Sequence, residues 1–229
     1  MKKLIAVLLL LPLVPFIVGC TPEEALTDTI YFTDVFTDII HADSIYTDTI
    51  DYTDEYWGEI AVPATSMEIL DDASSAAKSN MQSGLVYVFA NEPLAGDEKY
   101  VYFSVEMPHN YKEGTGVTIS THFTLNADEV GTKVRWKVGY SWANVGEDFP
   151  IVTTIWALSD AANNDSLKHQ NTKFTTIAGT GKQIRSHLVC YLSRNSSDIS
   201  DTYTDTVRLT GVSVLYQIDA PGSTSEWSK

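Results

Sequence analysis

Histidine can bind a metal or act in catalysis, and this chain has five histidines, at positions 41, 109, 122, 169 and 187. His109 and His122 flank a stretch that contains Gly114 and Gly116, so a turn could bring the two rings together across neighbouring strands. A catalytic zinc takes three protein ligands, and the spacing offers no third. The sequence also lacks H-E-x-x-H, C-x-x-C and G-x-S-x-G. It therefore predicts no metal site, no cofactor and no catalytic residue.

Carboxylates and the cysteines give equally little support for catalysis. Glycoside hydrolysis needs two acids across one cleft, and nothing in the sequence orders Glu98, Glu106, Asp128 and Glu129 into such a pair. Cys190 lies in a stretch, Leu188 to Leu192, that reads as a strand, which predicts a buried and inert thiol. A glycan-active enzyme stays open only as an alternative.

Aromatic side chains are the better candidates for a binding surface. Most should fill a core, because each buries a large apolar area. A subset on one face, or in the loops around Tyr111 and Trp142–Phe149, could form a platform, since loops positioned by a rigid scaffold often carry binding residues. The binding candidates from the sequence are Tyr111, His109, His122, Trp142 and Phe149.

The first twenty residues have the layout of a secretory signal peptide. Lys2 and Lys3 precede an apolar stretch that is too short for a comfortable membrane span. The end of this stretch, Ile17-Val18-Gly19-Cys20, resembles the bacterial lipobox. That resemblance implies a signal peptide over residues 1–19, cleavage before Cys20 and lipid attachment to its thiol. Thr21, where an Asp would imply retention at the inner membrane, implies the outer membrane. The alternatives are an ordinary signal peptide with a chance cysteine, or a short membrane anchor.

Negative charge is concentrated directly after the predicted signal peptide. The formal charge is −15, and residues 21–60 contain eleven acids with no Lys or Arg. Such a chain repels phosphate backbones, so nucleic acid is excluded as a partner.

Residues 20–56 form an acidic, Thr- and Asp-rich repeat with a five-residue period. Aliphatic residues recur at positions 30, 35, 40, 45 and 50, and Asp recurs at 38, 43 and 48. A period of five matches neither a helix nor a strand, so a single chain cannot easily bury all these side chains on one face. We favour a stalk that packs against copies of itself, and a trimer by analogy with fibre proteins. An extended spacer and cation binding by the aspartates are the alternatives.

Residues 57–229 are predicted to form an all-β head, a jelly-roll-like antiparallel β-sandwich. Alternating apolar residues and turn clusters mark eight strands, and an Ala- and Ser-rich stretch at Asp71–Met81 predicts one helix. The predicted strands are Leu85–Ala90, Lys99–Met107, Gly116–Leu125, Thr132–Trp142, Ile151–Leu158, Thr172–Ala178, Ile184–Ser193 and Val207–Ile218.

Four stretches of the head resemble a family of uncharacterised phage and marine-metagenome proteins. They are Trp57–Pro63, Met107–Thr115, Tyr140–Pro150 and Tyr216–Asp219. Members are similar to virion structural or fibre-like proteins. Where the family often has His-x-His-Trp, this chain has Thr121-His122-Phe123 and lacks one histidine. The resemblance implies a fibre-like role and an association with a virion.

Together these features predict a lipid-anchored, non-enzymatic binding or structural protein displayed on a cell surface or outer membrane. Its expected partners are the membrane through the lipid on Cys20, further copies of itself, and a glycan or protein ligand on a cell surface. A carbohydrate-binding module or glycan-active enzyme is one alternative. A prophage-encoded exclusion lipoprotein that blocks a receptor is another.

Overall fold

The structure is a computed structural model that describes residues 56–70, 74–82, 84–91 and 98–219. Within these ranges, segments with mostly alternating apolar residues form ten strands. All of these belong to one compact unit, residues 49–229. The predicted signal peptide, the lipid attachment at Cys20 and the stalk up to residue 55 lie outside the described residues. Among the residues described, no helix has the length and apolar character needed to span a membrane.

The strands pair antiparallel into two sheets, and their bounds are these: β1 Tyr56–Pro63, β2 Ala77–Met81, β3 Gly84–Phe89, β4 Tyr100–Glu106, β5 Val117–Leu125, β6 Arg135–Ala143, β7 Thr153–Leu158, β8 Gln170–Lys173, β9 His187–Arg194 and β10 Val207–Ile218. The six-stranded sheet has the order β2-β3-β10-β5-β8, and β1 also pairs with β10. The four-stranded sheet has the order β4-β9-β6-β7. The predicted all-β class with antiparallel sheets is confirmed.

All eight predicted strands overlap observed ones, β3 to β10. The predicted helix at Asp71–Met81 is wrong over its described part, because Ala77–Met81 forms β2 and pairs with β3. Helix propensity is a weak preference, and pairing with β3 overrides it here. Strand β1 was also missed: it begins at Tyr56, one residue before the predicted start of the head.

Between the sheets lies one apolar core built from the inward positions of both. Trp136 of β6 is fully buried, with its ring centroid 5.5 Å from Phe89 and 5.3 Å from Phe123 of the opposite sheet. Cys190 is buried among these side chains as predicted, and burial raises the pKa of its thiol. The thiol is therefore neutral and shielded, which fits a packing role.

Strand β10 has two neighbours along one side. Its first three residues pair with β3, and Gly211–Ile218 pair with β1. The ladder with β5 shifts between Leu209 and Gly211, a β-bulge that leaves Thr210 without a register partner. Because side chains alternate, each sheet also presents a solvent-facing surface, and these two outer faces carry the candidate sites.

Candidate functional site

Tyr111 and Trp142, two of the predicted binding residues, lie in the core. Tyr111 is 0% exposed and Trp142 is 2% exposed, and their ring centroids are 6.2 Å apart. The Trp142 indole donates a hydrogen bond to Ser186 Oγ at 2.9 Å, and the Tyr111 hydroxyl donates to the carbonyl of Thr115. Direct contact with a ligand would require this end of the core to open.

Phe149 and His109 are more accessible. Phe149 is 52% exposed in the loop before β7, and its ring centroid lies 6.4 Å from that of His187. His109 is half-buried in the turn after β4. The structure does not bring His109 together with His122. Nearby Tyr111 bridges to Ile218 at one end of β10, whereas His122 pairs with Gly211, seven residues away along that strand.

His122 instead belongs to a chain of hydrogen bonds that crosses the outer face of the six-stranded sheet. We call Glu59, Ser213, His122 and His169 the polar chain. His122 Nε2 lies 2.7 Å from Ser213 Oγ, and His122 Nδ1 lies 3.0 Å from His169 Nε2. Ser213 also bonds the carboxylate of Glu59 on β1. The chain therefore links β1, β10, β5 and the residue before β8.

The carboxylate of Glu59, at one end of the polar chain, sets the donor-to-acceptor direction of its hydrogen bonds. A carboxylate accepts only, so Ser213 donates to Glu59, and His122 must then donate from Nε2 to Ser213. His122 Nδ1 becomes an acceptor for His169. Burial, and next His169, lower the pKa of His122, while Glu59 opposes them. A neutral His122 satisfies all of these bonds.

This geometry argues against nucleophilic catalysis by Ser213. A nucleophile needs its proton taken by a base, but here His122 donates to Ser213. The two histidine rings are nearly parallel (17°), with centroids 5.2 Å apart and facing nitrogens 3.0 Å apart, so they meet edge to edge in an N–H···N bond. Among the described residues, no three His, Cys, Asp or Glu side chains lie close enough to hold a metal. The four residues of the polar chain, together with Val62 and its neighbours, line a shallow pocket of about 310 Å³.

A different surface occupies the outer face of the four-stranded sheet. We call Tyr100, Tyr102, Lys137, Trp156 and Tyr191 the aromatic face. Tyr191 on β9 pairs with Gly139 on β6, and a Cβ added at Gly139 would lie 2.2 Å from Cε1 and Cζ of Tyr191. The ring of Tyr191 therefore lies against the backbone of β6. Tyr100 and Tyr102 meet it edge-on, with ring centroids at 5.3 and 6.5 Å.

Trp156 and Lys137 extend the aromatic face toward β7. Trp156 is 39% exposed, and the Lys137 ammonium lies 5.4 Å from its ring centroid and 5.9 Å from that of Tyr191. Lys137 also pairs with Glu98 at 2.6 Å. Burial, and next the hydrogen bond to Glu98, raise the pKa of Tyr100, so its phenol stays neutral. The result is a band of aromatic rings with an ion pair at its centre.

These aromatic residues were not among the binding candidates from the sequence. The alternation in β4 carried the signal, because Val101, Phe103 and Val105 face the core and Tyr100 and Tyr102 must then face outward. Nothing local indicated that Tyr191 and Trp156 would join them, since that depends on the pairing of β4, β9, β6 and β7.

No family model and no curated protein matches the chain. Among solved structures it is similar to a family 35 carbohydrate-binding module from Clostridium thermocellum, with 8% identity over 69% of this chain and 97% of that one and a TM-score of 0.38. It is also similar to a family 30 carbohydrate-binding module (9% identity, 72% of this chain, 85% of that one, TM-score 0.34). A module specific for non-crystalline cellulose gives 8% identity, 67% and 88% coverage and a TM-score of 0.30.

Proposed function

We propose that the head is a non-enzymatic glycan-binding domain and that the aromatic face is its binding surface. The observation that carries this proposal is the ring of Tyr191, which lies against Gly139 and is bordered by the edges of Tyr100 and Tyr102. This makes carbohydrate binding, an alternative from the sequence, the main proposal in place of a fibre-like structural role.

The chemistry of this surface suits a sugar. A pyranose ring has an apolar C–H face, which packs on a flat aromatic ring, and a rim of hydroxyls, which need donors and acceptors. Lys137 and Glu98 supply both at the centre of the aromatic face. Exposed aromatic side chains with polar ends are also enriched where proteins bind ligands.

A jelly roll is the fold we infer for this domain. The strand order supports it, because β3-β10-β5-β8 and β4-β9-β6-β7 place most successive strands in opposite sheets. This arrangement leaves the outer face of β4-β9-β6-β7 free of covering strands within the part of the chain that the structure describes. The binding surface is therefore built on regular strands, which hold the rings more rigidly than loops would.

For display, we propose that the domain is exported and held at a membrane surface by lipid on Cys20. The lipobox-like Ile17-Val18-Gly19-Cys20 supports the anchor, and two acyl chains give stable attachment where one is marginal. Residues 20–56 would then separate the head from the membrane. Light scattering of residues 20–229 with Cys20→Ser tests the oligomeric stalk, since a monomer would contradict it.

Affinity electrophoresis against soluble polysaccharides tests the binding proposal. We expect the wild-type head to be retarded by at least one of xylan, mannan, β-glucan or galactan. Tyr191→Ala should abolish the retardation. Ser213→Ala, on the opposite outer face, is the matched control and should behave as wild type. Equal migration of all three proteins on every polysaccharide would contradict the proposal.

A further inference from the structure

Three buried polar groups lie beside β8 without a protein partner among the described residues. Thr121 and Thr172 face each other across the β5–β8 ladder and are 0% and 5% exposed. Neither hydroxyl has a hydrogen-bond partner in that part of the chain, and the same holds for Gln170 Nε2. Because burial without a partner costs free energy, such groups usually indicate a ligand or water that supplies one.

Their positions place these groups in one region. Gln170 pairs with Phe123, two residues along β5 from Thr121. These three orphan groups therefore lie together at the β5–β8 ladder.

This region opens to solvent where the two sheets end. Strand β8 is the last strand of the six-stranded order, and β7 is the last of the four-stranded order. A pocket of about 340 Å³, which we call the edge pocket, lies there. Its lining residues are Leu158, Asp160, Asn171, Thr172 and Lys173. Thr172 thus joins the exposed pocket to the buried polar groups.

We propose that the edge pocket binds a neutral, hydroxyl-rich ligand the size of one sugar residue. The orphan groups are two hydroxyls and an amide, all uncharged, so they complement the hydroxyls of a ligand rather than an ion. At the mouth, Asp160 and Lys173 carry opposite charges, which gives no preference for a charged ligand. Bound hydroxyls would supply the partners that Thr172 lacks.

The ligand has two possible sources. Leu158 lies on the same face of β7 as Trp156, two residues away, so the mouth of the edge pocket adjoins the aromatic face. The ligand is then either a free monosaccharide or the terminal residue of a glycan bound on that face. The second source rests on the proposed function, whereas the first does not.

Substitution at Thr172 gives a test with two readouts. Thr172→Val keeps the shape of the side chain and removes the orphan hydroxyl. We expect its melting temperature without sugar to equal or exceed that of wild type, and its affinity for sugar to fall at least fivefold. Thr172→Ser, which keeps the hydroxyl, should bind as wild type. Thr118→Val on the outer face of β5 is the matched control and should also bind as wild type.

The probes are glucose, xylose, mannose and galactose, together with their linear oligosaccharides, measured by ligand-observed NMR and calorimetry. Monosaccharide binding that Thr172→Val weakens supports a free sugar as the ligand, and loss of oligosaccharide affinity alone supports the terminal residue. Sugar binding that depends on Tyr191 and is unchanged in Thr172→Val would overturn the edge pocket and leave the proposed function standing, with only water at the orphan groups. If Thr172→Val loses monosaccharide binding and the wild-type protein binds no polysaccharide, the edge pocket is supported and the proposed function is overturned. Absence of binding to every sugar would overturn both.

Discussion

The two outer faces of the sandwich use the same scaffold in opposite ways. On the six-stranded sheet, the polar chain satisfies its groups internally, from His169 through His122 and Ser213 to Glu59. On the four-stranded sheet, Trp156 remains 39% exposed, and the ring of Tyr191 lies against the backbone at Gly139 and the edges of Tyr100 and Tyr102. Side chains whose hydrogen bonds are satisfied within the protein mainly stabilise the fold. Exposed aromatic rings offer apolar surface that a ligand can bury. The comparison supports the proposal that one face stabilises the fold and the other binds a ligand.

The largest expected effect comes from a methyl group on the aromatic face. In Gly139→Ala the new Cβ would overlap the ring of Tyr191, which must tilt away from the sheet. We expect glycan affinity to fall at least tenfold, measured by calorimetry on the best polysaccharide. Gly84→Ala is the matched control, because a Cβ there meets nothing closer than 3.4 Å. Unchanged affinity in Gly139→Ala would mean that the position of the Tyr191 ring is irrelevant to binding.

Breaking the polar chain should lower stability and leave glycan affinity unchanged. Ser213 is 3% exposed, and Ser213→Ala removes the group that joins His122 to Glu59. We expect the free energy of unfolding to fall by about 1–2 kcal/mol in urea titrations. Glycan affinity should stay within about twofold of wild type. A binding defect as large as that of Gly139→Ala would erase the distinction between the faces.

Acidification should weaken the polar chain. Because the pKa of His122 is lowered in the fold, the unfolded chain binds more protons as pH falls below the ordinary value of 6.5. Stability is therefore fully present above that value and decreases as pH falls toward the folded pKa. We expect the melting temperature to drop between pH 7.5 and 5.5, and to drop less in His122→Gln. Equal slopes in the two proteins would show that another group controls the pH dependence.

The smallest effect is expected at the exposed end of the chain. His169 is solvent-exposed and contributes one hydrogen bond, so His169→Ala should lower the free energy of unfolding by less than about 0.5 kcal/mol. Urea titration beside Ser213→Ala makes the comparison direct. A loss equal to that of Ser213→Ala would mean that the four residues act as one cooperative unit.

Local patterns in the sequence were enough to predict most of the scaffold. Strands such as β4 and β6 alternate apolar and polar residues, and this period reports both the strand and its buried face. The pattern failed at β2, where Ala and Ser favour a helix in isolation but pairing with β3 decides the outcome. It failed again at β1, which follows the acidic repeat and ends in Pro63.

The sites were harder to predict because they depend on non-local pairing. His122 meets His169, 47 residues further along the chain, and Ser213, 91 residues further. His109 was proposed as its partner because Gly114 and Gly116 predict a turn between the two histidines. Tyr111 and Trp142 were chosen as loop aromatics, and the structure places both in the core. The alternation in β4 separates the outward Tyr100 and Tyr102 from the core, but only the strand order brings Tyr191 and Trp156 to the same face.

The central position of β10 also has a consequence for the order of folding. Strands β1, β3 and β5 all hydrogen-bond to β10, which is the last of the described strands to be synthesised. Tyr56 must wait for Ile218 before the β1–β10 ladder can form. Pairing at such sequence separation is slow, and until it occurs the edges of three strands stay open to other chains. The six-stranded sheet therefore closes late, and a chain that stops before Val207 would lose the strand that joins this sheet together.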